Sequence, residues 1–258
     1  MSNKIDDILM QFTAISLKKM DAAALMNRVD TKFVVRGAQL PVILNGLLES
    51  HRILEIGGER AFDYHSTYYD TKERLLFNEH LRGRGKRHKV RKREYVNSNL
   101  SFLELKNKTN KGRTIKKRTK SPIPFAEMID DDRAFMESHN KDHTSLMPVM
   151  DVDFVRFTLV RDDLEERLTI DRSLKFVGKL KEAGLGDMAI IELKQGLRSR
   201  DSHTWTVLDE NEVRPFSISK YCFGMILTDS SLRYNRFKPR LLKLNKLSEH
   251  GNIWDPAT

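Results

Sequence analysis

The sequence predicts an α+β fold: an antiparallel β-sheet curled into a barrel with a charged interior, and helices packed outside and at its ends. Three observations lead there. A succession of strand-like segments is punctuated by turn residues; each segment splits by parity into an apolar and a charged face; and separate helical segments are available to cover the apolar faces. A half-exposed sheet would alternate too, with its charged face in water. Here the charged faces mix Arg and Lys with Glu and Asp at mid-strand positions in many consecutive strands, which favours a sheet whose polar faces look inward.

Taken in order, Ile5, Ile8, Leu9 and Phe12 follow helical spacing, and a second short helix is expected near 21–26. "RVDTKFVVR" reads as the first strand. Pro41 suits the first turn of a helix through "VILNGLLES" that ends before Gly57 and Gly58. "DYHSTYYDT" reads as a strand and "KERLLFNEHLR" as a helix. "HKVRKREY", "LSFLELKNK" and "RTIKKRTK", separated by "VNSN" and "NKG", describe a meander. "SPIP" breaks it before a polar helix at 125–139. Strands return in "VDFVRFTLV", "ERLTIDRSL" and "DMAIIELKQ", and helices follow near 202–211 and 221–229. No repeat or linker is visible, so residues 1–258 are expected to form one domain, with an N-terminal helical segment at 1–27 and a basic tail at 232–258.

Parity sorts the strands, because successive side chains point to opposite faces. Leu103 and Leu105 oppose Phe102, Glu104 and Lys106; Leu168 and Ile170 oppose Arg167, Thr169 and Asp171. Ile191 and Leu193 oppose Glu192 and Lys194, and Val155, Phe157 and Leu159 oppose Arg156 and Thr158. In "KVRKREY", Arg91, Arg93 and Tyr95 share one face, with Lys89 at its start, while Lys92 points away and is expected at the surface.

Composition narrows the partners. Lys and Arg number 46 against 36 Asp and Glu, a net charge of +10, which points to an anionic partner. One cysteine, Cys222, excludes an internal disulfide framework and a cysteine-based zinc site. The N-terminus lacks a signal-peptide core and no apolar run is long enough to span a membrane, so a cytoplasmic protein is expected.

"RVDTKFVV", "STYYDT", "VRKREY", "FLELKNKTNKGRTIKKR", "FVRFTL", "ERLTID", "IIELK" and "SISKY", in that order, resemble the VTC domain, the catalytic domain of polyphosphate polymerases within the CYTH-like triphosphate tunnel metalloenzymes. The resemblance runs from about Arg28 to Tyr221. It implies a tunnel barrel of about eight strands, a divalent metal, Mn²⁺ or Mg²⁺, and an ATP-dependent phosphotransferase that extends polyphosphate. Carried over by position, Lys32, Arg91, Arg93, Lys106, Arg156, Arg167 and Lys220 are the catalytic phosphate clamps and Glu192 the metal ligand; Glu104, by its residue type, offers a second hard oxygen ligand. The wider group has an acidic residue where Arg28 stands, which removes one metal ligand.

These residue types suit the chemistry. Phosphoryl transfer needs charge neutralisation and in-line positioning more than covalent help. Arginine supplies planar, bidentate donors and lysine point charges. Lys116, Arg118, Lys194, Ser219 and Tyr95 complete the expected substrate contacts, whereas Lys111, Arg113, Lys117 and Lys120 are expected in solvent. Asp171 is expected to position Arg167. His65 is assigned a structural role, although it could touch substrate; His80, His88, His139 and His143 are assigned to the surface. "GRGKR" at 83–87 lacks P-loop spacing and reads as a loop at the tunnel mouth. ATP and polyphosphate or triphosphate are the expected partners, with no specific nucleic acid and a possible separate membrane partner. Two other functions remain open: a triphosphatase or polyphosphatase on the same fold, and a non-enzymatic polyanion binder.

Overall fold

The computed structural model describes residues 2–22, 28–122, 127–139, 141, 144–196, 199–249 and 251–255. Its centre is one antiparallel path of eight strands. In chain order these are β2 (Val29–Val35), β4 (Phe62–Asp70), β5 (Arg87–Tyr95), β6 (Leu100–Lys108), β7 (Thr114–Lys120), β8 (Met147–Arg161), β9 (Glu166–Gly178) and β11 (Ala189–Gln195). They pair as β2-β11-β9-β8-β4-β5-β6-β7, so the first and last strands of the chain's second half join strands far away in sequence. Short strands β1 (Thr13–Ser16) and β3 (His51–Glu55) pair in parallel, β3 joins β8, and β10 (Glu182–Gly184) joins β9.

The parity reading holds across the sheet. On the convex face Phe33, Phe157, Leu168 and Ile191 are buried under α1 (Ser2–Leu9), α3 (Gln39–Leu47) and α6 (His203–Glu210). Tyr69, Val90, Leu103 and Leu105 are buried with Leu76 of α4 (Leu75–Leu81) and Met136 of α5 (Asp130–Ser138). Each such side chain contributes roughly 1.5–3 kcal/mol of hydrophobic stabilisation.

The helix expected near 221–229 forms, but it lies inside the sheet and not outside it or at its ends. α7 (Lys220–Thr228) packs inside the concavity, its Tyr221, Met225 and Ile226 clustered with the inward-facing Val34, Val152, Phe176 and Ile190. A β-bulge makes this possible: the β8–β9 register shifts between Asp153 and Val155, opposite Ser173 at φ 55°, so the inward set passes from Asp171 to Leu174 and Phe176. The concave face therefore has a charged half and an apolar half, and α7 covers the second. Gly224 permits the close approach, since a Cβ there would fall 2.4 Å from the Met150 sulfur and 2.6 Å from the Phe176 ring.

Other departures have local causes. The helix after Pro41 stops at Leu47, and "HRILE" becomes β3, a strand too short for its alternation to stand out beside a strong helical pattern. The basic tail contains α8 (Lys238–Leu247), which buries Leu241 and Leu244 completely against the α7 cluster. The second N-terminal helix, α2, is Leu17–Ala22; the rest of the expected 21–26 segment, and His143, lie outside the described residues. The polar helix begins at Asp130, with 123–126 also outside them.

Candidate active site

The charged half of the concave face is organised around three carboxylates, each bridging two cations. Glu104 on β6 stands directly opposite Arg91 on β5, whose Nε donates at 2.7 Å, and it also pairs with Lys116 of β7. Asp171 on β9 stands opposite Arg156 on β8, which donates through Nε at 2.5 Å and Nη2 at 2.8 Å, and it pairs with Lys220 at the start of α7. Glu192 on β11 stands opposite Lys32 on β2 and pairs with it and with Lys194 at 3.0 Å. Directly opposed strand residues have side chains close enough for such pairs to form.

Other cations on this face have no such counterweight, Arg93 and Lys106 among them. Among the described residues no carboxylate lies within ion-pairing distance of Arg93 or Lys106. Arg93 is buried and its Nε donates to Ser66 Oγ at 3.1 Å. Lys106 is open to the lumen and sits in the field of Glu192 and Lys32, which belong to strands at the far end of the path. That proximity shows how strongly the sheet curls.

The electrostatics follow from this crowding. Burial alone would raise the pKa of Glu104, Asp171 and Glu192. For Glu104 the neighbouring Arg91, Arg93 and Lys116 outweigh it; for Asp171, Arg156 and Lys220; for Glu192, Lys194 and Lys32. All three are held well below the usual carboxylate range. Burial lowers Lys106, Lys116 and Lys220 to about 8, with nearby carboxylates only partly offsetting it. Burial also lowers Arg93, and adjacent Arg91 adds to the effect.

Tyr68, which the sequence assigns to ordinary strand packing, belongs to the site. Burial would raise its pKa, but Arg91, Arg93 and Lys89 outweigh that and bring it to about 8; its hydroxyl accepts from Arg91 Nη1 at 3.0 Å. The signal was present: Tyr64, Ser66 and Tyr68 share the parity that faces Arg91 and Arg93 in register. An aromatic row crosses the same face from Phe154 to Tyr64, Tyr95 and Phe102, with centroid spacings of 5.1, 5.0 and 5.9 Å. The Arg93 and Arg156 guanidiniums lie over the Tyr64 ring, and Arg118 lies 4.7 Å from the Phe102 centroid.

The remaining sequence-level candidates are placed as follows. Ser219 is the N-cap of α7, its hydroxyl accepting from the Cys222 amide at 3.2 Å and from Lys89 Nζ at 2.7 Å. Arg167 shares the inward parity opposite Lys194, and its Nη2 donates to the Met20 carbonyl at 2.7 Å. Three expectations are corrected. Asp171 holds Arg156 and Lys220. Lys92 is buried beneath α5, paired with Asp132 at 2.7 Å and donating to the Glu127 carbonyl at 2.6 Å, because its outward parity meets a helix. His80 and His88 are partly buried, and burial lowers His80 to about 3. His65 lies on the opposite face from Tyr64 and Ser66, bonded to Asp153 at 2.6 Å.

A divalent ion would find no ready-made cage of three or more acidic, His or Cys ligands among the described residues. Glu192 still fits a hard cation that draws most of its ligands from phosphate and water, as Mg²⁺ commonly does with one or two carboxylates. Glu104, only 2% exposed beneath Arg91 and Lys116, fits that role less well.

A curled antiparallel sheet around a cation-rich lumen defines a tunnel-type domain. The chain belongs to the VTC domain family, whose model matches residues 27–228. Among curated proteins none matches it. Its fold is similar to that of HpAC1 from Hippeastrum, described as an adenylyl cyclase candidate with a dominant triphosphatase activity (13% identity, 78% of this chain and 96% of that one, TM-score 0.48). It is also similar to bh2851 of Bacillus halodurans, an adenylate cyclase candidate (12% identity, 82% and 97%, TM-score 0.49), and to PH1819 of Pyrococcus horikoshii (15%, 77% and 98%, TM-score 0.43). No described helix is long and apolar enough to cross a membrane.

Proposed function

We propose that this VTC domain is an ATP-dependent polyphosphate polymerase. The observation that carries the reading is the surplus of positive charge in the lumen. After Glu104, Asp171 and Glu192 have each bridged two cations, Arg93 and Lys106 still lack a carboxylate. A buried guanidinium without a counter-charge is costly, and a phosphate chain would relieve that cost.

In this reading the ATP triphosphate lies among Arg91, Arg93, Arg156, Lys106 and Lys220, with Lys32, Arg167 and Lys194 at the β2–β11–β9 side and Lys116 and Arg118 at the β7 side. A terminal phosphate oxygen of the acceptor chain attacks the γ-phosphorus. The new P–O bond forms as the bond to the β-phosphate oxygen breaks, and ADP leaves. The arginines neutralise equatorial oxygens and hold the groups in line; no proton need move, since the attacking phosphate oxygen is already anionic. Glu192 would hold Mn²⁺ or Mg²⁺, which supplies further charge neutralisation when bound. Ser219 and the first turn of α7 hold Lys220 at the apolar boundary of the site, and Tyr95 lines the aromatic edge.

Incubation with ATP and Mn²⁺ or Mg²⁺, followed by sizing of the phosphate products, tests this. Chains longer than three phosphates are expected. Release of free phosphate alone would make the domain a triphosphatase, and absence of turnover with retained polyphosphate affinity would make it a polyanion binder.

A further inference from the structure

Two basic sequence features, the 83–87 turn and the tail, find no use in the triphosphate cluster itself. The fold brings them together. A cavity of about 360 Å³ opens beside Lys106, walled by Arg87 and Lys89 of β5, Lys108 of β6, and Arg236 and Arg240 from the C-terminal segment. That size is within the range of small-ligand sites, about 300–1,000 Å³. No Asp or Glu is among its described lining residues.

The walls are built. Arg236 Nη1 donates to the Arg82 carbonyl at 2.8 Å, bracing the C-terminal segment against the turn. Gly83, at φ 66°, makes room for that contact, because a Cβ there would fall 2.2 Å from the same guanidinium nitrogen. Arg240 Nη1 donates to the Ser217 carbonyl at 3.2 Å and lies over the Phe237 ring, 4.7 Å from its centroid. Phe237 is buried, so it offers no open aromatic face to a nucleobase. The wall is therefore mainly cationic, and it continues from the lumen through Lys106.

We infer that this cavity is a subsite for the phosphates of a linear chain beyond the three held in the lumen, with Arg236 and Arg240 determining preference for long chains. The inference rests on the proposed function and names the chain-length determinant of that same site. Nothing in the triphosphate cluster requires these arginines, so the two can be separated experimentally.

The test is the affinity, at fixed ionic strength, of inorganic triphosphate and of a long linear polyphosphate for the whole chain. It uses the wild type, Arg236→Gln/Arg240→Gln, Lys108→Gln from the facing wall, and Lys238→Gln/Lys246→Gln, which removes equal charge from α8 at positions that do not line the cavity. The wild type should bind the long chain at least about tenfold tighter than triphosphate, and the two cavity variants should lose that gain while binding triphosphate as before. The α8 control should keep it. An unchanged gain in the cavity variants, or equal loss in the control, overturns the inference. Equal affinity of the wild type for both ligands overturns it while leaving the proposed function standing. Failure to bind triphosphate overturns the proposed function, and this inference with it. Should the arginine double variant not fold, Lys108→Gln decides alone.

Discussion

Replacing Asp171 with Asn would keep the side chain's shape and remove its charge from between Arg156 and Lys220. Asp171 is 3% exposed and takes a bidentate contact from Arg156 at 2.5 and 2.8 Å as well as the Lys220 ammonium. Removing one member of a buried ion pair costs about 3–5 kcal/mol, because the partner is left charged and desolvated. For a chain of this length that corresponds to a fall of roughly 6–20 °C in melting temperature. The depressed pKa sets the sign with pH: Asp171's stabilisation is complete above the unfolded carboxylate value of about 4 and is lost as pH falls through its folded value. Thermal melts at neutral pH, with and without inorganic triphosphate, read both parts of the argument. Asp171→Asn should melt lower, and triphosphate should raise its melting temperature by more than the wild type's, since the anion takes the place of the missing carboxylate. A variant that melts within about 2 °C of wild type with the same ligand shift would refute the claim that Asp171 holds two desolvated cations.

Three further outcomes follow from the same geometry. Arg93→Met orphans no carboxylate, so the ligand-free protein should unfold in denaturant at or above the wild-type midpoint while triphosphate affinity falls by about a hundredfold; lost stability with retained binding would contradict it. Lys92→Met strands Asp132 under α5 and should cost about 3–5 kcal/mol in denaturant titration without changing triphosphate affinity. Anion binding favours protonated lysine, so affinity should decline as pH rises through about 8, where Lys106, Lys116 and Lys220 lose their protons. Calorimetric titrations across that range check it, and an affinity constant up to about pH 10, where ordinary lysines titrate, would refute loss of these three charges near 8 as a control on binding.

Much of the site was legible because strand parity is a local property. Arg91 and Arg93, Glu104 and Lys106, and Glu192 and Lys194 share faces by counting alone, and the folded sheet keeps each set inward. Parity also separated Lys92 from Arg91 and Arg93. It could not say whether "away" meant solvent or a helix, since α5 reaches Lys92 from about 40 residues downstream. The assignment of Asp171 failed for a related reason. The two-residue period of a strand places Arg167, four positions away, on the same face as Asp171, but only the β8–β9 register puts Arg156 directly across from it.

The sequence by itself determined the α+β class, most central strands, which side chains line the charged face, and the family to which the chain belongs. These depend on alternation and ordered motifs that short stretches carry within themselves. Tertiary structure decided which cation each carboxylate holds, that α7 fills the apolar half of the concavity, and that the 83–87 turn and the C-terminal segment wall one basic cavity. Those outcomes depend on strand register, a bulge near Asp153, and packing between distant segments, and no local pattern encodes a distance between residues far apart in the chain.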